Sequence, residues 1–240
     1  MTVFKTYQAR LSGALALSAD TKHLEFEVLG VEHFGFVPGQ WLSLKLAKAE
    51  GEEIVRAYSI ASPPRADNHF ALCANRVPGG AMSNHLYDLK PGEEICCQGP
   101  FGDFILRPPL RDTIFIATGT GIAPFRSMLN WLLAEPGRLE GRELWLVFGN
   151  RTEKDIYYHD EFSRLAREHA NLHYLPTLSR PEADWTGLRG HVQEHVIEIA
   201  RGRADMHAYV CGLEKMVKQN RELLKGLGWD RRAIRYENYD

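Results

Sequence analysis

The sequence predicts two domains in series: a small antiparallel β-barrel over residues 1–107, then a doubly wound parallel α/β sheet over residues 108–240. Three observations predict this. A chain of 240 residues is long for one core and comfortable for two of about 100–150 residues each. The first part holds short strand-like runs broken by Pro38-Gly39, Pro63-Pro64, Pro78-Gly79 and Pro91-Gly92. After Pro108-Pro109, read as the linker, strand and helix patterns alternate.

The expected strands of the barrel are Val3–Leu11, His23–Leu29, Trp41–Leu46, Val55–Ile60, His69–Asn75 and Glu93–Gln98. One helical interlude, Ser83–Leu89, is capped by Ser83 and stopped before Pro91. Close spacing of short strands suggests a closed barrel. In the second part the succession is Thr113–Ala117, Pro124–Ala134, Glu143–Phe148, His159–His169, Leu172–Pro176, Gly190–Arg201, His207–Cys211, Leu213–Leu227 and Ile234–Tyr236. Alternation of this kind builds a parallel sheet with helices on its faces.

Composition bounds the function. Hydrophobic residues make up 44% and charged residues 25%, as in ordinary globular domains, and the net charge of −2 gives no protein-wide field for nucleic acid or membrane. The opening Met1–Arg10 has no apolar core of secretory type and no run reaches about 18 apolar residues, so a cytoplasmic protein without a membrane span is expected. Cys73, Cys96, Cys97 and Cys211 show no cluster spacing, and the ten histidines no metal-site spacing. No metal is expected, and any redox metal comes on a partner.

Two stretches carry chemistry. Arg56-Ala-Tyr-Ser59 ends a strand, so Arg56 and Tyr58 share one face, a cation beside a flat aromatic. Arg56 can take a phosphate bidentately, Tyr58 can stack on an isoalloxazine and the Ser59 hydroxyl can bond its N5. Alone, the tetrapeptide reads equally as a surface arginine beside a half-buried tyrosine. Pro78-Gly-Gly-Ala-Met-Ser83 adds a glycine pair and a serine cap, which present unpaired N–H groups to an anion. Thr113–Arg126 reads as a buried strand, a glycine turn and a helix opened by Pro124, a phosphate-holding arrangement in which Pro124 replaces the third glycine of the usual dinucleotide fingerprint. Cys211-Gly212 closes another strand at its carboxyl end, where open α/β sheets bind ligands. A buried structural cysteine is the plain reading, and a polarizable wall against a nicotinamide the functional one.

These motifs, in this order, resemble the ferredoxin–NADP⁺ reductase superfamily: Arg56-x-Tyr58-Ser59, Gly80-x-x-Ser83-Asn84-x-Leu86, Gly99-Pro-Phe-Gly102, Gly119–Ser127 and Tyr209-Val-Cys-Gly-Leu213. Leu72-Cys-Ala-Asn-Arg76 is similar to the plant-type branch, and Ile234–Asp240 to the family's tail. The resemblance implies a flavin barrel and a pyridine-nucleotide domain, with FAD near Arg56, Ala57, Tyr58, Ser59, Cys73, Asn75, Gly80, Ala81, Met82 and Ser83. It places NADP(H) near Thr118, Gly119, Thr120, Gly121, Arg151, Ser179, Arg180, Arg189 and Gly212, the Ser179-Arg180 pair at the 2′-phosphate with Arg189 as a second cation. Ser59, Cys211, Glu237 and Tyr239 would serve hydride exchange, with Tyr239 over the second flavin face. Asp240 beyond that aromatic, and the lack of an adenine-stacking tyrosine between Asn75 and Gly79, depart from the plant-type pattern.

The implied activity is exchange of hydride between NADP(H) and FAD, and of single electrons with ferredoxin or flavodoxin. Arg107, Arg111, Arg126, Arg231, Arg232 and Arg235 could form a basic rim for such an acidic carrier. A second reading is the reductase component of an oxygenase, which Leu178-Ser-Arg-Pro181 and Asp184-Trp-Thr-Gly187 also resemble. A third, from another class, is a flavin-bearing sensor, which would need none of Ser59, Cys211 and Glu237.

Overall fold

The computed structural model describes residues 5–47 and 52–239. Val3 and Phe4 of the expected first strand, and Asp240, lie outside these. The described residues form two compact units, one running to Ile105 and including Ala123–Trp131, the other made of Leu106–Ile122 and the residues from Leu132 onward.

The first unit is an antiparallel sheet of β1 (Thr6–Ala16), β2 (Thr21–Val28), β3 (Trp41–Ala47), β4 (Glu53–Ser59), β5 (His69–Asn75) and β6 (Glu94–Phe101), with helix α1 (Ala81–Asp88) between the last two. The order is β4-β3-β6-β1-β2-β5. Its edges meet, because Ile60 just beyond β4 bridges Leu72 of β5 and the Ala61 N–H donates to the Ala71 carbonyl at 2.7 Å. The sheet is therefore closed as a barrel, which leaves few free edges. Strand β2 shows why the chain folds this way: Leu24, Phe26 and Val28 point inward while His23, Glu25 and Glu27 alternate with them. Inside, the Phe70 ring lies 5.3 Å from Phe26 and 5.6 Å from Phe34. Strand β1 outruns its expected end at Leu11, since a register shift between Leu11 and Gly13 lets pairing with β2 resume as far as Ala16.

Ala123–Trp131, the body of helix α2 (Ile122–Leu133), packs on this barrel. The Arg126 guanidinium donates to the Ala61 carbonyl at 3.0 Å and the buried Ser127 hydroxyl to the Ser62 carbonyl at 2.7 Å. Phe125 sets its ring 5.9 Å from Phe104.

The second unit is wholly parallel: β7 (Thr113–Thr118), β8 (Leu144–Asn150), β9 (Leu172–Leu178), β10 (Leu188–Arg189), β11 (His207–Leu213) and β12 (Ile234–Tyr239), in the order β10-β9-β8-β7-β11-β12. Thr113 to Ala117 are all buried, as in a strand covered on both faces. Helices α3 (His159–Glu168), α4 (Val192–Ala200) and α5 (Glu214–Gly226) supply the crossovers. Val196, Val217 and Leu224 pack with Ile114, Ile116 and Val210 in one core. Helix α4 starts two residues after the expected Gly190, because Leu188 and Arg189 pair with β9 and His191 forms a capping box with Glu194. No described helix is long and apolar enough to cross a membrane.

The buried Ser127–Ser62 bond gives a test of how the barrel holds α2. Ser127→Ala leaves the Ser62 carbonyl without that donor, so stability should fall by about 1–3 kcal/mol. Urea unfolding of both proteins measures it, and an unchanged midpoint refutes it.

Candidate functional site

In the first unit the expected residues gather where β4, β5 and α1 adjoin one another. Arg56 and Tyr58 face the same way and pair with Leu44 and Leu42 of β3. The Tyr58 ring packs on the barrel core. Burial pushes its phenol up to about 12, and the nearby Arg56 guanidinium pulls the other way. The tyrosine is thus neutral at any working pH. Arg56 is exposed and gives one N–H to the Val55 carbonyl at 2.8 Å, so most of its five donors are available to an anion. Ala57 is exposed between them, and Ser59 is buried at the strand end.

On β5, Cys73 is buried, and Asn75 holds a buried Oδ1 with no hydrogen-bond partner among the described residues. Such an orphan acceptor costs on the order of 1–3 kcal/mol, which a donor on a bound molecule would remove. Gly79, at φ +74°, has open space around it, whereas a Cβ on Gly80 would stand 2.6 Å from Ser83 Oγ. The chain therefore turns into α1 with bare backbone. Helix α1 has Gly80 at its N-cap without a side-chain cap, so the Ala81 and Met82 N–H groups have no intrahelical acceptor and form an anion-binding end. Ser83 is not the N-cap that its residue type suggests. Because Gly80 begins the helix earlier, Ser83 lies within the first turn, where its hydroxyl accepts from the Val77 N–H and donates to the Gly80 carbonyl, both at 3.1 Å.

Arg76 and Asn84 were not separately assigned roles by sequence reasoning, yet they complete this turn. Arg76 Nε donates to Asn84 Oδ1 at 2.7 Å, and Asn84 Nδ2 donates to the carbonyls of Val77 at 3.0 Å and Gly80 at 2.7 Å. Nothing in their spacing signals a pairing that depends on the turn itself. The set fits FAD: a cation and free helix N–H groups for the diphosphate, an aromatic face for the ring, and an unmet acceptor for a ligand hydroxyl or N–H.

In the second unit the winding reverses between β7 and β11, and their carboxyl ends carry Thr118–Gly121 and Cys211–Gly212. Open α/β sheets bind ligands at such a switch point. Gly119–Gly121 form one 3₁₀ turn that runs straight into α2, so Pro124 falls inside the first helical turn rather than opening the helix. Proline is tolerated there because the N–H it lacks would be unpaired anyway. A Cβ on Gly121 would stand 2.3 Å from the Cys211 carbonyl oxygen, and one on Gly212, at φ +139°, 2.3 Å from Thr118 Oγ1. The Thr118 hydroxyl accepts from the Leu213 N–H at 3.4 Å. Only glycines let the two ends interlock, with Thr120 on the intervening turn.

Cys211 is fully buried, and it pairs across the strands with Glu237. Burial first, and the Glu237 charge second, raise its thiol well above the usual range, with a smaller opposing pull from the Tyr239 hydroxyl. Cys211, Glu237 and Tyr239 therefore share one sheet face, and the sulfur there is a neutral thiol. On the far side of the switch point, Ser179 and Arg180 extend the β8–β9 pairing beyond the strands: the Ser179 N–H donates to the Asn150 carbonyl at 3.0 Å and the Arg180 N–H to the Arg151 carbonyl at 2.8 Å. This brings the exposed Arg151, Ser179 and Arg180 side by side. Arg189, expected as a second cation, has a local role in the loop as well. Its Nη2 is committed to the carbonyls of Glu182 at 3.3 Å, Ala183 at 3.4 Å and Trp185 at 2.7 Å, which anchors the loop after Arg180.

Thiol reactivity checks the reading of Cys211. None of the four cysteines is in a disulfide, with Cys73, Cys97 and Cys211 buried and Cys96 half-buried, and burial holds the Cys97 thiol up at about 12. Thiolates are the reactive form, so Cys96 alone should react rapidly with an aromatic disulfide reagent in the native protein, and all four after unfolding. A rapid second phase that Cys211→Ala removes would show an accessible, ionised Cys211.

Comparison with known proteins agrees with this geometry. The family model of the oxidoreductase FAD-binding domain matches residues 8–105, and that of the oxidoreductase NAD-binding domain residues 115–222. Ferredoxin--NADP reductase B of Sorangium cellulosum (strain So ce56) is 41% identical over 242 residues, covering 98% of each chain. The glycine betaine monooxygenase reductase subunit of Pseudomonas aeruginosa (strain UCBPP-PA14) is 33% identical over 82% of this chain, which spans 54% of that longer protein. Among solved structures, the Amycolatopsis cytochrome P450 reductase GcoB superposes with a TM-score of 0.86 at 28% identity, over 98% of this chain and 70% of that one. A barrel matched as an FAD-binding domain, a parallel sheet matched as an NAD-binding domain, and a relative 41% identical along its whole length establish that this chain is an oxidoreductase of the ferredoxin–NADP⁺ reductase superfamily.

Proposed function

We propose that the protein is an FAD-dependent reductase that moves electrons between NADP(H) and a one-electron protein carrier, ferredoxin or flavodoxin. The observation that carries this reading is Cys211, a buried neutral thiol at the switch point, aligned with Glu237 and Tyr239 on one face. A neutral, polarizable sulfur can lie against a flat nicotinamide ring and is a poor nucleophile. Arg56 and the first N–H groups of α1 would hold the FAD diphosphate, Tyr58 would offer its face to the ring and Ser59 its hydroxyl. Bound FAD supplies the conversion between two-electron hydride chemistry and single-electron transfer. The Thr118–Gly121 turn holds the nucleotide pyrophosphate through backbone N–H groups. Glu237, next to Cys211, is the group placed to accept or return a proton at its carboxylate.

The 41%-identical relative is named for ferredoxin and NADP, which favours this partner and nucleotide. The oxygenase-reductase reading draws on the 33%-identical monooxygenase subunit. Reduction of a one-electron acceptor with and without added ferredoxin separates the two.

The purified protein should be yellow and release FAD, because a diphosphate site has two phosphates to fill. Arg56→Gln should weaken retention at least tenfold, since a charge-assisted contact is worth about 1.5–3 kcal/mol. Mass spectrometry of the extracted pigment and a fluorescence titration decide it, and release of FMN alone would defeat the assignment.

NADPH should be preferred over NADH by about tenfold or more, through Arg180 and Arg151 at the 2′-phosphate. Arg180→Ala should erase the preference by weakening NADPH alone. Arg189→Met should instead raise KM for both nucleotides, because it frees a loop rather than removing a phosphate contact. Steady-state kcat/KM for both nucleotides tests this, and a preference that survives Arg180→Ala removes that residue from the site.

A further inference from the structure

The arginines expected as a basic rim have different local surroundings. Arg126 donates to the Ala61 carbonyl, and Arg231 and Arg232 are exposed near the start of β12. Arg111 and Arg235 gather instead around His207 at the amino-terminal edge of the parallel sheet, the opposite end of β11 from Cys211. Along β11 that separation is about 13 Å, at ~3.3 Å per residue.

The local register brings these residues together. Arg235 pairs with Tyr209 and so shares a face with His207, two residues earlier on β11. His207 pairs with Thr113, and Arg111 stands two residues before it. The His207 N–H donates to the Asp112 carbonyl at 2.9 Å, and Arg111 Nη1 to the Asp205 carbonyl at 3.2 Å, which fixes both backbones. The side-chain nitrogens are less well served. His207 Nδ1 and Arg235 Nε are both buried, and neither has a hydrogen-bond partner among the described residues. Among the described residues Arg235 and Arg111 form no ion pair, and the charges that act on His207 are those two cations. The adjacent Asp112 carboxylate is already engaged, by Arg203 at 3.0 Å and the Glu143 N–H at 3.1 Å. Three cationic or donor groups converging without a carboxylate, two of them with buried unmet nitrogens, are what an absent anion would explain.

We propose that Arg111, His207 and Arg235 form a binding site for a small tetrahedral oxyanion of the phosphate type, distinct from the nucleotide crevice at the other end of the strands. Such an anion offers an oxygen to each arginine and a further one to His207 Nδ1–H, more acceptors than a carboxylate carries. Binding is coupled to protonation of His207. Burial, then Arg111 and Arg235, hold its pKa below the ordinary 6.5, and a bound anion reverses the effect of both cations. The groups around His207 are the Tyr209 ring, edge-on at 6.5 Å on β11 and held neutral by burial, Arg235 from β12, Arg111 from the segment before β7 and the uncharged Thr113 of β7; the Asp205 carbonyl is taken by Arg111. With cations on each charged side, binding takes up a proton and tightens as pH falls through the His207 range.

NMR titration of the intact flavin-loaded protein tests this. The His207 ring signal is assigned by its loss in His207→Gln, and its pKa is followed in sodium sulfate against sodium chloride at matched ionic strength. Sulfate should shift the signal saturably and raise the pKa by about one pH unit. Arg235→Gln should abolish the saturable response while Arg235→Lys keeps part of it, with unchanged circular dichroism in both. Inorganic phosphate and methyl phosphate, run in parallel, distinguish a free anion from a phosphate ester, and binding of either supports the site. Equal pKa values in sulfate and chloride, or an undiminished saturable shift in Arg235→Gln, would overturn it.

Discussion

The second unit depends on one close approach. Where the winding of the parallel sheet reverses, the carboxyl ends of β7 and β11 run so near each other that a Cβ at Gly121 would meet the Cys211 carbonyl at 2.3 Å, and one at Gly212 would meet Thr118 at the same distance. Backbone N–H groups can line a crevice only where side chains do not fill it. The two glycines thus do more than permit a turn. They hold the Gly119–Gly121 turn and the strand bearing Cys211 in fixed relation, which Thr118 ties further through its bond to Leu213. A side chain at either place would part the strands, and with them the backbone donors and the thiol.

Burial then decides which groups carry charge. Tyr58 and Cys211 could ionise at alkaline pH, and desolvation keeps both neutral. The cations lie at the margins instead, with Arg56 exposed at the end of β4 and Arg151 and Arg180 exposed beyond β8 and β9. This division suits a molecule with apolar rings at its reacting end and phosphates at the other. It also explains how a chain of net charge −2 can recognise anions, because the positive charge is local and paired with backbone dipoles rather than spread over a surface.

Much of this was legible in the sequence because it is written in periodicity and in glycine. Short strand-like runs between turn residues gave β3 and β5 nearly to the residue and β2 to within two, and the buried run from Thr113 marked the first parallel strand. What was not legible lies in contacts between distant residues. The register shift in β1 depends on how Gly13 faces β2, so the strand was cut short at Leu11. Ser83 has the chemistry of an N-cap, but Gly80 begins the helix and turns that hydroxyl to another use. Arg189 reads as one more cation near a phosphate, and only the path of the loop from Glu182 to Trp185 shows where its guanidinium goes.

The arginines show most plainly why residue type alone does not assign function. Arg126, Arg189, Arg56 and Arg235 carry the same group. The first two each donate to carbonyl oxygens and so fix backbone, one on the barrel and one in the loop after β9. Arg56 makes one local bond and leaves the rest of its fork open at a strand end. Arg235 sits in a strand interior with a buried, unmatched Nε beside another cation and a histidine. Where the donors already go decides what each can bind, since a guanidinium gains from a phosphate only the contacts that the protein has not already made.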